Sequence, residues 1–252
     1  MRWSIGYFGV KDLFTIINLL GGVFGIYFAF NGRIDYAGYA IFAGYLFGDA
    51  LDGQVARWTH TGNAFGGEFD SAADHIGQGI APAVVVYRAY DLGGHETMGL
   101  VLMAALIATA SIRQARFATA PFKYSLCYCG LPRTVSGMIA LSLPNAQIFF
   151  QWQPYRWEAG MVIIGVMSVL NLVPIPYMTH KGRKMQWYVK MVVVPFLLAP
   201  PLLFFFARPF LYDFLFVCTL GYALTAWIPV LPEERRAFYD EYRRWAGQVA
   251  RK

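Results

Sequence analysis

Four aspartates lie close together in a part of the chain that is otherwise apolar. Asp49 and Asp52 are three residues apart, and Asp70 and Asp74 are four residues apart. Residues at these separations lie on one face of an α-helix, so each pair presents two carboxylates side by side. The short connection 58–66 should make the two helices antiparallel neighbours, so that the four carboxylates converge. Carboxylate oxygens suit Mg²⁺, Mn²⁺ or Ca²⁺, and the spacing therefore predicts a divalent-metal site.

The apolar setting of these aspartates calls for a bound cation. A charged Asp in the middle of a bilayer costs roughly 2.5–3.5 kcal/mol, so four at a similar depth would cost on the order of 10 kcal/mol. Metal cations relieve this cost. The neighbouring Arg57 adds a positive charge, and Gly53, Ala56 and Gly66 leave room for a ligand near the backbone. Such a site could bind a diphosphate between metals and arginine while a metal neutralises the leaving phosphate, which is phosphoryl-transfer chemistry.

Aspartates inside a membrane can also serve two purposes other than metal binding. A single one can pair with an Arg on a facing helix, but four acids with interposed glycines and an adjacent Arg exceed what such pairing requires. Buried acids also mark ion and proton pathways. A transporter would have acids spread along several spans at different depths, whereas these acids are confined to two neighbouring helix ends. The sequence therefore favours an enzyme over an ion transporter.

The apolar residues form blocks that are long enough to cross a bilayer as helices. Hydrophobic residues make up 57% of the 252 residues and charged residues only 14%, against about 25% charged residues in soluble domains. About 20 apolar residues suffice for a helical span. The sequence therefore predicts an all-α, polytopic membrane helix bundle with eight spans, near 13–31, 36–56, 68–90, 97–117, 132–150, 159–178, 188–208 and 211–230.

Positive charge is distributed unevenly between the two ends of this predicted bundle. With eight spans both termini lie on one side, and of the 21 Lys and Arg residues only Arg33, Arg88, Arg156 and Arg208 lie on the other. Because positively charged loops stay in the cytoplasm, both termini and the aspartates are expected to face the cytoplasm from the inner membrane. The excess charge also attracts anionic lipid headgroups, and nucleic acid is not an expected partner.

The spans are joined by short turns, which predicts one transmembrane domain over residues 1–230. The first apolar block lacks a small-residue cleavage site, so it is expected to remain as the first transmembrane helix. Residues 231–252 differ in kind, because acidic and basic residues alternate with aromatic ones. This pattern predicts an amphipathic helix that lies on the cytoplasmic membrane surface.

The segment from Asp49 to Asp74 reads D-x2-D-G-x2-A-R-x8-G-x3-D-x3-D, which resembles the signature of the CDP-alcohol phosphatidyltransferases. The resemblance implies a membrane enzyme with a six-helix catalytic core, here with about two further spans, in which an alcohol displaces CMP from a CDP-linked lipid. It also implies two divalent metal ions, Mg²⁺ or Mn²⁺. Asp49, Asp52 and Asp70 resemble the ligands of one metal. Asp49, Asp70 and Asp74 resemble those of the second, and Asp74 also resembles the general base.

Other positions resemble the contacts that this family makes with the CDP-linked lipid. Thr15 belongs to a segment at the start of the first helix that resembles the one closing over the nucleotide. Asn18 on the same helix is either a polar pocket residue or an interhelical hydrogen-bonding side chain. The predicted lipid contacts are Thr15, Asn18, Gly53, Ala56, Arg57, Asn63 and Gly66. A homodimer is expected from the resemblance and from the Gly- and Ala-rich helix faces.

Four further segments, 14–22, 113–117, 130–132 and 174–177, resemble the phosphatidylserine synthase branch of the family. That branch implies CDP-diacylglycerol as donor and L-serine as acceptor, with glycerol 3-phosphate, inositol or an inositol phosphate as alternatives. The chain departs from the branch at 133–136, where Arg-Thr-Val-Ser replaces a second Pro and small residues. Unless they only reflect the cytoplasmic charge bias, the basic residues predicted to bind the acceptor or a phosphate are Arg113, Arg116, Lys123 and Arg133.

Overall fold

The computed structural model describes residues 8–49, 51, 55, 63–122, 124–179 and 198–249. Helices dominate these residues, which confirms the predicted all-α class, and the two strands have three residues each. A π-helical turn, Tyr45–Asp49, continues α2, and another, His75–Ile80, joins α3 to α4. The helices are α1 (Val10–Phe30), α2 (Ile34–Gly44), α3 (Ala64–Asp74), α4 (Ala81–Leu92), α5 (Glu96–Thr119), α6 (Arg133–Ser142), α7 (Gln147–Phe150), α8 (Arg156–Leu170), α9 (198–206), α10 (Arg208–Thr225) and α11 (Pro232–Val249).

The first helix turns its large apolar side chains outward and its polar and small ones inward. Its buried residues are Lys11, Asp12, Thr15, Asn18, Gly21, Gly22, Gly25 and Ala29. The large apolar residues, each at least 40% exposed, are Leu13, Ile17, Leu20, Val23, Phe24, Tyr27 and Phe30. A continuous apolar surface of this kind is unfavourable in water and indicates contact with lipid or a partner. Small and polar residues at helix contacts are typical of membrane bundles.

Two of the described helices, α1 with 21 residues and α5 with 24, are individually long and apolar enough to cross a membrane. The other predicted spans coincide with shorter pieces. The predicted span at 68–90 is helical throughout, but a π-helical turn separates its two α-helices, α3 and α4. The predicted span at 132–150 contains three short elements, namely α6, a 3₁₀ turn and α7. Residues 188–197 of the seventh predicted span lie outside the described residues. The count of eight spans therefore stays a prediction.

One predicted span is wrong in its second half. The sequence predicts a helix over 159–178, but α8 ends at Leu170 and a strand, β2 (Pro176–Met178), follows. Pro174 and Pro176 lack a backbone N–H and favour an extended conformation in the residue before each, so the helix cannot continue. β2 pairs antiparallel with β1 (Cys127–Cys129), which lies in the connection between the predicted spans 97–117 and 132–150.

The C-terminal helix α11 packs against the rest of the protein through aromatic side chains. Phe238 is fully buried, and its ring centroid lies 5.4 Å from that of Phe122 and 5.6 Å from that of Tyr124. The Tyr124 hydroxyl donates a hydrogen bond to the carbonyl oxygen of Glu234 at 3.3 Å. The helix predicted within 231–252 is thus present and packs on the protein through Phe238, while its position on the membrane surface stays a prediction.

Candidate metal centre

Three of the four predicted aspartates converge. Asp49 ends the π-helical turn after α2, and Asp70 and Asp74 lie one turn apart at the end of α3. One carboxylate oxygen of each lies within 4.8 Å of the other two, and we call these three residues the aspartate cluster. The remaining aspartate and four other predicted site residues lie outside the described residues: Asp52, Gly53, Ala56, Arg57 and Lys123.

Asp74 accepts hydrogen bonds from three side chains of the described residues. Its Oδ1 accepts from Asn18 Nδ2 and from Gln78 Nε2, both at 2.8 Å. Its Oδ2 accepts from Arg133 Nη2 at 2.8 Å in an ion pair. Gln78 Nε2 also lies 3.0 Å from Asp49 Oδ2. Side chains from α1, the π-helical turn after α3 and α6 therefore fix the orientation of the Asp74 carboxylate.

Two glycines allow α1 to approach the aspartate cluster closely. A Cβ at Gly48 would lie 2.5 Å from the backbone nitrogen of Asn18, and a Cβ at Gly77 would lie 2.9 Å from Asn18 Oδ1. A larger residue at position 48 would force α1 away, because only glycine leaves space for such contact with the backbone of α1. A larger residue at position 77 would push against the buried side chain of Asn18. The close packing of α1 places Asn18 within hydrogen-bonding distance of Asp74.

The chemistry of the aspartate cluster fits a hard divalent cation. Its three carboxylates supply only oxygen ligands, which Mg²⁺ and Mn²⁺ prefer. Oδ1 of Asp70 is buried and has no hydrogen-bond partner among the described residues. A buried carboxylate oxygen without a partner is costly, and coordination to a cation would remove that cost. The cluster could therefore hold metal ions.

Two glutamines complete the network and were not predicted from the sequence. Gln78 lies four residues after Asp74, so its helical spacing from a predicted site residue could have revealed it. Gln114 on α5 donates from Nε2 to Ser71 Oγ on α3. Its Oε1 accepts a hydrogen bond from Arg133 Nη1 at 2.5 Å. No local pattern indicates this second position, because its partners come from other helices.

The predicted lipid contacts near the start of α1 and α3 lie where these two helices meet. Thr15 is fully buried on the same side of α1 as Asn18. The Asn63 side chain caps α3 by accepting a hydrogen bond from the Gly66 backbone N–H at 2.7 Å. A Cβ at Gly66 would lie 2.5 Å from Lys11 Nζ, so this glycine lets the start of α1 pack against α3. Their role in lipid binding stays a prediction.

Arg113 holds two chain segments together. Its Nη1 donates to the carbonyl oxygens of Cys129 and Asn171, both at 3.0 Å. Gly130, between them in space, has a φ of +74°, and a Cβ there would lie 3.1 Å from the same nitrogen. Only glycine adopts this backbone conformation at no steric cost. The geometry therefore gives Arg113 a structural contact at β1.

Arg116 and Arg133 differ in how firmly their guanidinium groups are held. Arg116 Nη1 and Nη2 lie 3.4 Å from the carbonyl oxygens of Leu172 and Cys129, which is long for an N–H···O hydrogen bond. Arg133 contacts the aspartate cluster directly. Arg116 therefore keeps donors for a ligand, and of the described predicted basic residues Arg133 is the one that contacts Asp74.

Comparison with known proteins gives consistent matches. The family model "CDP-alcohol phosphatidyltransferase" matches residues 9–227. The chain is 30% identical over 190 residues to the CDP-diacylglycerol–serine O-phosphatidyltransferase of Helicobacter pylori strain J99, which covers 73% of this chain and 76% of that protein. It is 32% identical over 111 residues to the protein of the same name from Methanocaldococcus jannaschii, covering 43% of this chain and 48% of that protein.

A third relative carries a different lipid in its name. The chain is 34% identical over 85 residues to the archaetidylserine synthase of Methanothermobacter thermautotrophicus, covering 33% of this chain and 36% of that protein. Together these matches confirm the resemblance predicted from the aspartate motif.

Proposed function

The chain belongs to the CDP-alcohol phosphatidyltransferase family, and we propose that it transfers the phosphatidyl group of CDP-diacylglycerol to the hydroxyl of L-serine with release of CMP. The observation that carries the proposed chemistry is the aspartate cluster, in which one carboxylate oxygen of each residue lies within 4.8 Å of the other two. The choice of serine is supported by the names of the relatives from Helicobacter pylori and Methanocaldococcus jannaschii.

The aspartate cluster and Asp52 are the proposed ligands of two divalent ions, Mg²⁺ or Mn²⁺. When bound, such ions neutralise the diphosphate and the charge that develops on the departing CMP. The buried Asp70 Oδ1 without a hydrogen-bond partner among the described residues supports this assignment.

Asp74 is the proposed general base. The serine hydroxyl oxygen bonds to the phosphorus of the phosphatidyl group while the bond from that phosphorus to the oxygen of CMP breaks. The hydroxyl proton passes to the Asp74 carboxylate, which is the role of a positioned base. Asn18 and Gln78 hold Oδ1 of this carboxylate at 2.8 Å, and Arg133 beside Oδ2 is placed to balance charge on the transferred phosphate.

We place the active site at the cytoplasmic face of the inner membrane. Three of the four arginines assigned to the outer side lie at the opposite end of the helices from the aspartate cluster. Arg33 precedes α2 and Arg156 begins α8, while Arg88 Nε lies 3.5 Å from the carbonyl oxygen of Ala29 near the end of α1. This separation agrees with retention of positive charge in the cytoplasm.

The proposed topology is a six-helix core with two further spans and the C-terminal helix. It is supported by large exposed apolar side chains on several helices besides α1, such as Val101 on α5, Val162 on α8 and Val217 on α10. The family's homodimer remains a prediction for this chain.

The deciding experiment offers CDP-diacylglycerol and a panel of alcohols to the purified full-length protein with Mn²⁺ and measures CMP release. L-Serine should support release, and glycerol 3-phosphate, inositol and inositol phosphate should not. Asp74→Asn should abolish the serine-dependent release. Release with glycerol 3-phosphate and none with serine would refute the acceptor, and release unaffected by Asp74→Asn would refute the mechanism.

A further inference from the structure

Two buried polar atoms beside the aspartate cluster have no hydrogen-bond partner among the described residues. One is Nε of Arg133, and the other is Oδ1 of Asn171, the residue that follows α8. Asn171 is only 2% exposed. A buried donor or acceptor without a partner costs free energy. The two atoms are complementary, because Nε–H donates a hydrogen bond and Oδ1 accepts one, but they do not bond directly to each other.

Arg133 and Asn171 line the same small cavity, which we call the Arg133 cavity. It lies between α6, the π-helical turn after α3 and the end of α8. About 10 Å³ of its space is open to the centre of a water-sized sphere, which suits a single buried water molecule. The rest of its wall is mainly apolar and includes Pro82, Leu106, Ala110 and Ala140.

A third polar side chain, Ser136, also lines the Arg133 cavity. Ser136 is 5% exposed, and its hydroxyl donates a hydrogen bond to the carbonyl oxygen of Arg133 at 2.9 Å, so its oxygen can still accept one. Gly137 lets α6 lie close to the π-helical turn, because a Cβ there would overlap the carbonyl oxygen of Gln78. A water can therefore accept a hydrogen bond from Arg133 and donate to Asn171 and Ser136. Three hydrogen bonds are typical of a buried water.

The other nitrogen atoms of the Arg133 side chain face the metal centre. Nη2 donates to Asp74 Oδ2 at 2.8 Å, and Nη1 donates to Gln114 Oε1 at 2.5 Å. Because a guanidinium group is planar and rigid, a partner that fixes Nε also fixes the direction in which both Nη atoms donate. A partner of Nε would therefore hold Arg133 on the carboxylate of the proposed base.

We propose that the Arg133 cavity binds one water molecule that joins Arg133 Nε to Asn171 Oδ1. Asn171 is then a positioning residue for Arg133 and, through Arg133, for the Asp74 carboxylate. The proposal rests on the proposed role of Asp74 as metal ligand and general base. It adds the end of α8, which carries no predicted site residue, to the elements that support the metal centre.

The first test is a double-mutant cycle on Mn²⁺ binding, measured by calorimetry on the full-length protein in detergent without substrate. Asn171→Leu keeps a similar side-chain shape but removes the acceptor, so the guanidinium group is held less firmly and competes less with the metal for Asp74. The Kd for Mn²⁺ should fall about threefold, as expected for one weakened hydrogen bond. In the Arg133→Gln background the same substitution should leave the Kd unchanged, because its effect passes through Arg133.

Two further variants make this cycle specific. Ser168→Ala is the matched control, because Ser168 is also buried on α8 but its hydroxyl donates to the carbonyl oxygen of Ile164 within the helix at 2.9 Å. It should leave the Kd unchanged. Ser136→Ala removes another proposed partner of the water by a smaller change, and it decides the question if Asn171→Leu does not fold. It should lower the Kd about twofold.

The second test is a density map of the full-length protein that resolves ordered water molecules. It should show one water within about 3.2 Å of both Arg133 Nε and Asn171 Oδ1. A map without this water would overturn the proposal, and so would an unchanged or higher Kd in the folded Asn171→Leu or Ser136→Ala protein. A fall in Kd that persists in the Arg133→Gln background would also overturn it, because Asn171 would then act by another route.

Both tests are made without an acceptor alcohol, so their outcomes are separate from the choice of serine. A wild type that releases no CMP with serine would refute the proposed function and leave the water bridge standing. A wild type that binds no Mn²⁺ would overturn both.

Discussion

Replacing Arg133 with Gln should tighten the binding of a divalent cation to the aspartate cluster. Arg133 Nη2 lies 2.8 Å from Asp74 Oδ2, and the two side chains are only 18% and 14% exposed. The Arg133 guanidinium group is therefore the counter-ion of Asp74, whose carboxylate is a proposed metal ligand. A cation that enters the cluster has to compete with this ion pair and meets the repulsion of a neighbouring positive charge.

The size of the effect follows from the ion pair. A hydrogen bond to a charged group contributes about 1.5–3 kcal/mol, and about 1.4 kcal/mol corresponds to a tenfold change in a dissociation constant. Because Arg133 also contacts Gln114 and is not fully buried, the lower end of that range applies. We therefore expect the Kd for Mn²⁺ to fall about tenfold in Arg133→Gln.

The assay is a calorimetric titration of the full-length protein with Mn²⁺ in detergent, without substrate. Arg88→Gln is the matched control, because Arg88 pairs with Asp91 at the far end of the bundle with similar side-chain exposures of 19% and 25%. It should leave the Kd unchanged, and Asp74→Asn should raise it. An unchanged or larger Kd in a folded Arg133→Gln protein would show that Arg133 does not compete with the metal.

Three further changes have defined outcomes. Asp70→Asn should lower CMP release at least about a hundredfold, because a neutral amide replaces a charged ligand, and chelation by EDTA should do the same until Mn²⁺ is restored. Gly77→Ala should lower the free energy of unfolding by about 1–3 kcal/mol, because the new Cβ would lie 2.9 Å from Asn18 Oδ1. Thermal melts measure this change, and Gly165→Ala is the control because a Cβ there has nothing within 4 Å. Phe238→Ala should expose the C-terminal helix to limited proteolysis, whereas Tyr239→Ala, at a position 40% exposed, should not.

The aspartate cluster could be predicted because its geometry is mostly local. The separation of Asp70 and Asp74 places both on one face of α3, and a short connection brings α2 and α3 together. Arg133 could not be placed in the same way. It is 59 residues from Asp74 in sequence, and the charge bias of membrane proteins accounts equally well for a basic residue at a predicted cytoplasmic loop.

The prolines after α8 could have corrected the predicted span, whereas the pairing of the strands could not have been foreseen. Pro174 and Pro176 indicate that a helix ends before them, although the apolar content of 159–178 alone suggests a membrane span. The pairing of β1 with β2 joins segments that are far apart in the sequence, and no local pattern specifies such a contact.

The aromatic residues of α11 predict that this helix has an apolar side. They do not predict what covers that side, because lipid and the ring of Phe122 are equally suitable partners for Phe238.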